Sequence, residues 1–190
     1  MKMKPLSYLA ALFLLFLLFG CQDIFTYSPL DILQRDPASL SKDQQLLYAQ
    51  QALSSGDDSP ITSAIDIVEN TLIPDDPANA DLYLLLGDLK WTRSHTPFAL
   101  QDYLFNNSNQ FPAPANYLAF VTSIESGLSA AEITLLEEAA DNCYYYAENT
   151  LGATLNAIQQ LAAGIGLLSA GDPYGNAAAY LTNAINILVP

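Results

Sequence analysis

His95 is the only histidine of this 190-residue chain, and Cys21 and Cys143 are its only thiols. One imidazole cannot supply an HExxH helix, a histidine-based zinc site or a paired-imidazole mechanism. A Cys143–His95 dyad is the one nucleophilic arrangement left to consider. Cys143, however, shares a helical stripe with Ile133, Leu136, Ala140, Tyr144 and Ala147, which predicts a buried thiol. Asp57-Asp58 and Asp75-Asp76 offer oxygen ligands but not the EF-hand spacing, and both flank helix starts, where aspartates cap free amides. Gly164-Ile165-Gly166 lies inside a helical stripe and reads as a close helix contact, not as a phosphate loop. The pattern predicts no enzyme, no cofactor and no metal. The remaining chemistry is aromatic. Tyr144-Tyr145-Tyr146 spans about 200° of helix circumference, so at least one ring faces away from its own core stripe. That ring either packs on a neighbouring hairpin or is presented to a partner.

The elements that must position these groups are helical hairpins. Residues 80–105 form the clearest one. Leu82, Leu85, Leu86 and Leu89 recur at three- and four-residue steps and lay one apolar stripe on a helix. Gly87 in mid-helix costs roughly 1 kcal/mol against alanine, so a close packing contact is expected there. Ser94-His95 breaks the helix, and Thr96-Pro97 restarts it, with threonine as the expected cap. The first hairpin opens at the capping box Ser41-x-x-Gln44, breaks at 54–58 and restarts at Ser59-Pro60. A third runs from about Ala115 to Ser126, then from the capping box Ser129-x-x-Glu132 to about Thr150. In a fourth, Leu155, Ile158, Leu161, Ala162, Ile165 and Leu168 share a stripe, Gly171 stops the helix and Asp172-Pro173 starts the last. Pro60 and Pro97 lie 37 residues apart, and self-similarity near this period marks helical-hairpin solenoids.

The N-terminus is an address. Two lysines in residues 1–4 precede an apolar run over 6–19, too short for a comfortable membrane span, ending in Leu18-Phe19-Gly20-Cys21. This resembles the bacterial lipoprotein signal. The resemblance implies a signal peptide over 1–20 and lipidation of Cys21 as the first mature residue. It also implies, from Gln22 where inner-membrane retention favours Asp, sorting to an outer membrane facing the periplasm. Two or three acyl chains hold a protein durably on a bilayer. Cys21 would then be used by lipid and Cys143 left alone, so no intramolecular disulfide is expected. Residues 21–40, with Pro29 and Pro37, are expected to form a tether, and 41–190 the helical domain.

About 170 mature residues suffice for one sizeable core. The net charge is −14, and Arg35, Lys42, Lys90 and Arg93 are the only cations beyond the leader. Such a surface repels nucleic-acid phosphates and anionic headgroups.

Residues 80–113 resemble a tetratricopeptide repeat. Tyr83, Leu86, Gly87 and Ala99 fall where its roughly 34-residue pattern places an aromatic, a leucine, a glycine and an alanine, with Lys90 in the position of a tyrosine. The resemblance implies an all-α solenoid of about four antiparallel hairpins over 41–190, the alternative being a compact antiparallel bundle. It further implies a concave groove lined by Asp81, Leu84, Asp88 and Trp91, then by Leu118, Thr122 and Glu125. An acidic groove with one tryptophan suits a basic or apolar segment of an envelope protein. The function expected is a lipid-anchored adaptor or assembly factor. A ligand-binding accessory of a solute transporter is the alternative, which an enclosed apolar pocket would favour.

Overall fold

The computed structural model describes residues 36–107 and 110–188, so Cys21 and the leader lie outside the described residues. The chain divides into two compact units, Met1–Leu40 and Ser41–Pro190. In the first, the described residues form a 3₁₀ turn over Pro37–Ser39, where the Asp36 carboxylate accepts the Ala38 amide at 3.1 Å.

The second unit is all-α among the described residues. Its eight helices are α1 (Lys42–Ser55), α2 (Asp58–Ile67), α3 (Ala80–Arg93), α4 (Thr96–Asn106), α5 (Tyr117–Glu125), α6 (Ala130–Asn149), α7 (Ala157–Ser169) and α8 (Ala177–Leu188). A π-helical stretch, Val68–Leu72, and a last turn, Ile73–Asp75, extend α2. The boundaries follow local chemistry. The capping box of α6 is closed both ways: Ser129 N–H donates to Glu132 Oε2 at 2.7 Å, and Glu132 N–H donates to Ser129 Oγ at 3.3 Å. An Asn156–Gln159 pair does the same for α7. Gly171 ends α7 at φ +84°, a left-handed conformation that costs glycine little.

Two starts differ from expectation. Thr96 does not cap α4 but is its first residue, following His95 at φ +56°; its amide donates to Ser94 Oγ at 3.3 Å. The last helix begins at Ala177 rather than beside Pro173. Asp172 still caps it from a distance, accepting the amides of Asn176 and Ala177 at 2.9 and 3.0 Å.

The helices run as antiparallel neighbours, with one exchange. The broad partner of α3 is α6, and α6 in turn packs on α7, which packs on α8. Gly87 makes the first approach possible: a Cβ there would lie 3.2 Å from both Ala139 O and Cys143 Sγ. Gly166 makes the second, and Gly164 brings α8 against α7. The pair α4–α5, carried between α3 and α6, supplies Leu100, Tyr117, Phe120, Val121 and Ile124 to one core with Trp91, Leu136, Leu161, Ile165 and Leu181.

Candidate functional site

The seven residues expected to line one groove are not brought together. Leu84 packs against the cluster of Cys143, Leu155 and Ala163. Asp88 accepts two hydrogen bonds from Gln159 Nε2 of α7, at 3.1 and 3.3 Å. Burial raises the Asp88 carboxyl, and the Gln159 amide lowers it in part. Trp91, one turn further on the same face, is 6% exposed and belongs to the core. The face that was to be concave and open is therefore covered by α7 and, at Trp91, by the core that α5 completes. Asp81 is exposed at the start of α3. Leu118 and Thr122 lie on the open side of α5, where they line a shallow cleft with Ala115 and Ser126, and Glu125 is half-buried nearby.

His95 and Cys143 also stand apart. Cys143 sits behind Gly87, about 12 Å along α3 from the turn that holds His95. Burial pushes its thiol up to about 12, with the Asp88 charge adding to the shift, so it is no nucleophile at neutral pH.

The imidazole is committed to a clamp. His95 Nδ1 lies 2.6 Å from Glu132 Oε1, and Nε2 lies 3.0 Å from Asp58 Oδ1. Only the imidazolium can donate at both nitrogens. Arg93 completes the group, with Nη1 3.5 Å from Asp58 Oδ2. The geometry favours charge on every side. The cation follows the C-terminus of α3, while Asp58 and Glu132 occupy the first turns of α2 and α6. Hydrogen bonds to Glu132 and Asp58 raise the histidine above its ordinary value of 6.5. Glu132 is held at about 2, first by the Ser129 amide and hydroxyl and then by His95.

The sign follows directly. A raised histidine contributes its full stabilisation below the ordinary imidazole value, and that contribution fades as the pH rises through the raised one. The gap in melting midpoint between wild type and His95→Gln is expected to be widest near pH 6 and to shrink by about pH 9. A gap that does not change with pH would show that the clamp carries no proton.

A second commitment is deeper. Lys90, 3% exposed, places its ammonium 2.9 Å from Glu69 and 2.7 Å from Glu138, tying α6 and the π-helical turn to α3. Burial pulls the ammonium down, but the hydrogen bonds to Glu138 and Glu69 outweigh it and leave it above the ordinary range. Lys90 thus acts as a buried strut. Removing one partner of such a cluster strands the others.

The open face lies elsewhere, on α4 and α5. Phe98 and Phe105, seven residues apart on one side of α4, are 65% and 79% exposed, and Leu118 of α5 is 66% exposed. Phe98 and Asp102 line a cleft of about 490 Å³ together with Ser123, Ser126 and Glu132. The same two serines belong to the cleft of Leu118 and Thr122, so the two surfaces are continuous. Sequence reasoning passed over Phe98 and Phe105, although a seven-residue aromatic spacing off the main stripe was visible. Among the described residues no group of three His, Cys, Asp or Glu side chains could hold a metal ion, and no helix is long and apolar enough to cross a membrane. Set beside known proteins, the chain matches no family model, no curated protein and no solved structure.

Proposed function

We propose that the chain is a lipid-anchored protein of a bacterial cell envelope, placed on the outer membrane facing the periplasm. There it acts as an adaptor that holds a basic and apolar segment of another envelope protein. The observation that carries the reading is that Phe98, Phe105 and Leu118, three large apolar side chains of α4 and α5, are left in water, Phe98 in a cleft with Asp102 and Glu132. Large apolar side chains grouped on one side of a fold often mark an interaction surface. The net charge of −14 favours a cationic partner. The resemblance to tetratricopeptide arrays, whose hairpins bind peptide segments, supports the same reading, with the docking face on α4–α5 rather than along α3. The clefts that the described residues of α4 and α5 line open to solvent, as a docking surface for a segment requires.

The anchor and the face are tested separately. Metabolic labelling with a palmitate analogue is expected to mark the protein, and Cys21→Ala to abolish the label; label that persists in that variant sinks the lipid anchor. A photo-reactive residue at position 105 or 118 is expected to cross-link an envelope protein at low salt, with the yield falling as ions screen the contact. Position 66, on the exposed side of α2, serves as the control. Phe98→Ser with Leu118→Ser should cut the cross-link at position 105 by about tenfold or more, as loss of interface anchors does, while leaving the melting midpoint in place. Equal yields at all three positions would remove the docking face.

A further inference from the structure

Four tyrosines converge on the solvent side of α6. Tyr145 meets Tyr83 of α3 with ring centroids 4.1 Å apart, and Tyr144 lies flat on Tyr174 of the α7–α8 loop, centroids 4.0 Å apart and planes within 6°. All four rings line one cleft of about 340 Å³, and Asp141 and Glu148, seven residues apart on α6, line it with them. Asp141 lies close enough to Tyr174 for its charge to raise the tyrosine hydroxyl, so ring and carboxylate share one wall.

Rings and carboxylates ask for the same occupant. The face of a tyrosine carries the negative side of its quadrupole, and an ammonium within about 6 Å of the centroid is attracted to it. A carboxylate draws the same charge. Among the described residues no cation supplies it. The described cations beyond residue 40 are Lys42, Lys90 and Arg93, and each is held elsewhere: Lys42 by Asp75, Lys90 by Glu69 and Glu138, Arg93 by Asp58. Among the described residues neither Asp141 nor Glu148 forms an ion pair. Partial burial and the nearby Glu138 charge raise the Asp141 carboxyl above its ordinary range, and an incoming cation would draw it back down. Anions are repelled by both components. The cleft is at the small end of the range of roughly 300–1,000 Å³ that small-molecule sites occupy.

We propose that the cleft of Tyr83, Tyr144, Tyr145 and Tyr174 binds a small organic cation with an alkylammonium head, such as a polyamine or a quaternary amine. The rings would wall the carbon-bound head and Asp141 and Glu148 would balance its charge. The site lies apart from the α4–α5 face and does not rest on the adaptor reading.

Calorimetric titration of the purified full chain tests it, with spermidine and tetramethylammonium as probes and methyl glucoside as a neutral one. Saturable binding of either cation is expected, and the tighter of the two tells whether the head is a primary or a quaternary amine. Tyr144→Ala and Asp141→Asn should each weaken it about fivefold, while Tyr144→Phe, which keeps the ring, should stay within about twofold. Tyr174→Ala lies in a loop and leaves every helix intact, so it reads the same wall should Tyr144→Ala unfold. The proposal is overturned if neither cation binds, if binding ignores these variants, if magnesium ion competes as well as the amines do, or if the glucoside binds more tightly than both.

Discussion

Gly166→Ala is expected to destabilise the protein by about 3 kcal/mol and to lower its melting midpoint by roughly 6–12 °C. The usual effect of this exchange inside a helix has the opposite sign, because alanine is favoured over glycine by about 1 kcal/mol. Packing reverses it. A Cβ at position 166 would stand 2.5 Å from Leu136 O and 2.6 Å from the Ala140 Cβ. The first obstacle is helix backbone and the second a methyl with no rotamer to change, so only a shift of α6 away from α7 could make room. Gly164→Ala meets Leu181 at 2.6 Å and Gly87→Ala meets Ala139 O and Cys143 Sγ at 3.2 Å, so a graded series is expected, mildest at Gly87. Thermal unfolding followed by circular dichroism measures all three. A midpoint that is unchanged or raised in Gly166→Ala would mean that α6 and α7 do not approach this closely.

The same glycines show how far the chain could be read without coordinates. A glycine in mid-helix points to a close neighbour, and at Gly87 and Gly166 the neighbour is there. It cannot say which helix. The hairpin rule pairs α3 with the helix that follows it, but α4 is short and keeps Phe98 and Phe105 in water. The long α6, with Leu136, Ala139, Ala140 and Cys143 in one stripe, offers α3 a larger apolar face and takes the place beside it. The capping boxes at Ser41 and Ser129 and the stop at Gly171 were legible because they are local, a side chain and a backbone group within three or four residues. The α3–α6 pairing was not, since it depends on which of several apolar faces fits best over a separation of some fifty residues.

The expected groove failed at the same step. Leu84, Asp88 and Trp91 do share one face of α3, as their spacing requires. Periodicity assigns residues to a face without saying what covers it. Gln159, from a helix seventy residues away, covers Asp88, and Leu155 and Ala163 with Cys143 cover Leu84. The tyrosine triplet was left open between a packing contact and a presented surface. In the structure the rings of Tyr144 and Tyr145 each pack against one other ring, and both line a cleft that opens to solvent.

Trp91 separates the buried face from the open one by experiment. Truncating a buried tryptophan removes a large apolar surface and leaves a cavity that a packed core closes only in part, at a cost of about 3–5 kcal/mol. At 6% exposure, inside the cluster that holds Leu100, Phe120, Ile124 and Ile165, Trp91 has no open side onto which the core could relax. Trp91→Ala is therefore expected to lower the melting midpoint by roughly 6–20 °C, the range that this cost gives for a chain of this size. Trp91→Phe, which keeps an aromatic ring, should recover more than half of the loss. Being the only tryptophan, Trp91 also reports on itself, and its emission is expected to lie toward the blue in the native protein and to shift red on unfolding. Below the melting transition, cross-linking through position 105 should be unchanged per folded molecule, because Phe105 stands in water while Trp91 is buried in the core. The opposite result, a native midpoint with cross-linking lost, would return Trp91 to a binding surface along α3 and displace the α4–α5 face as the docking site.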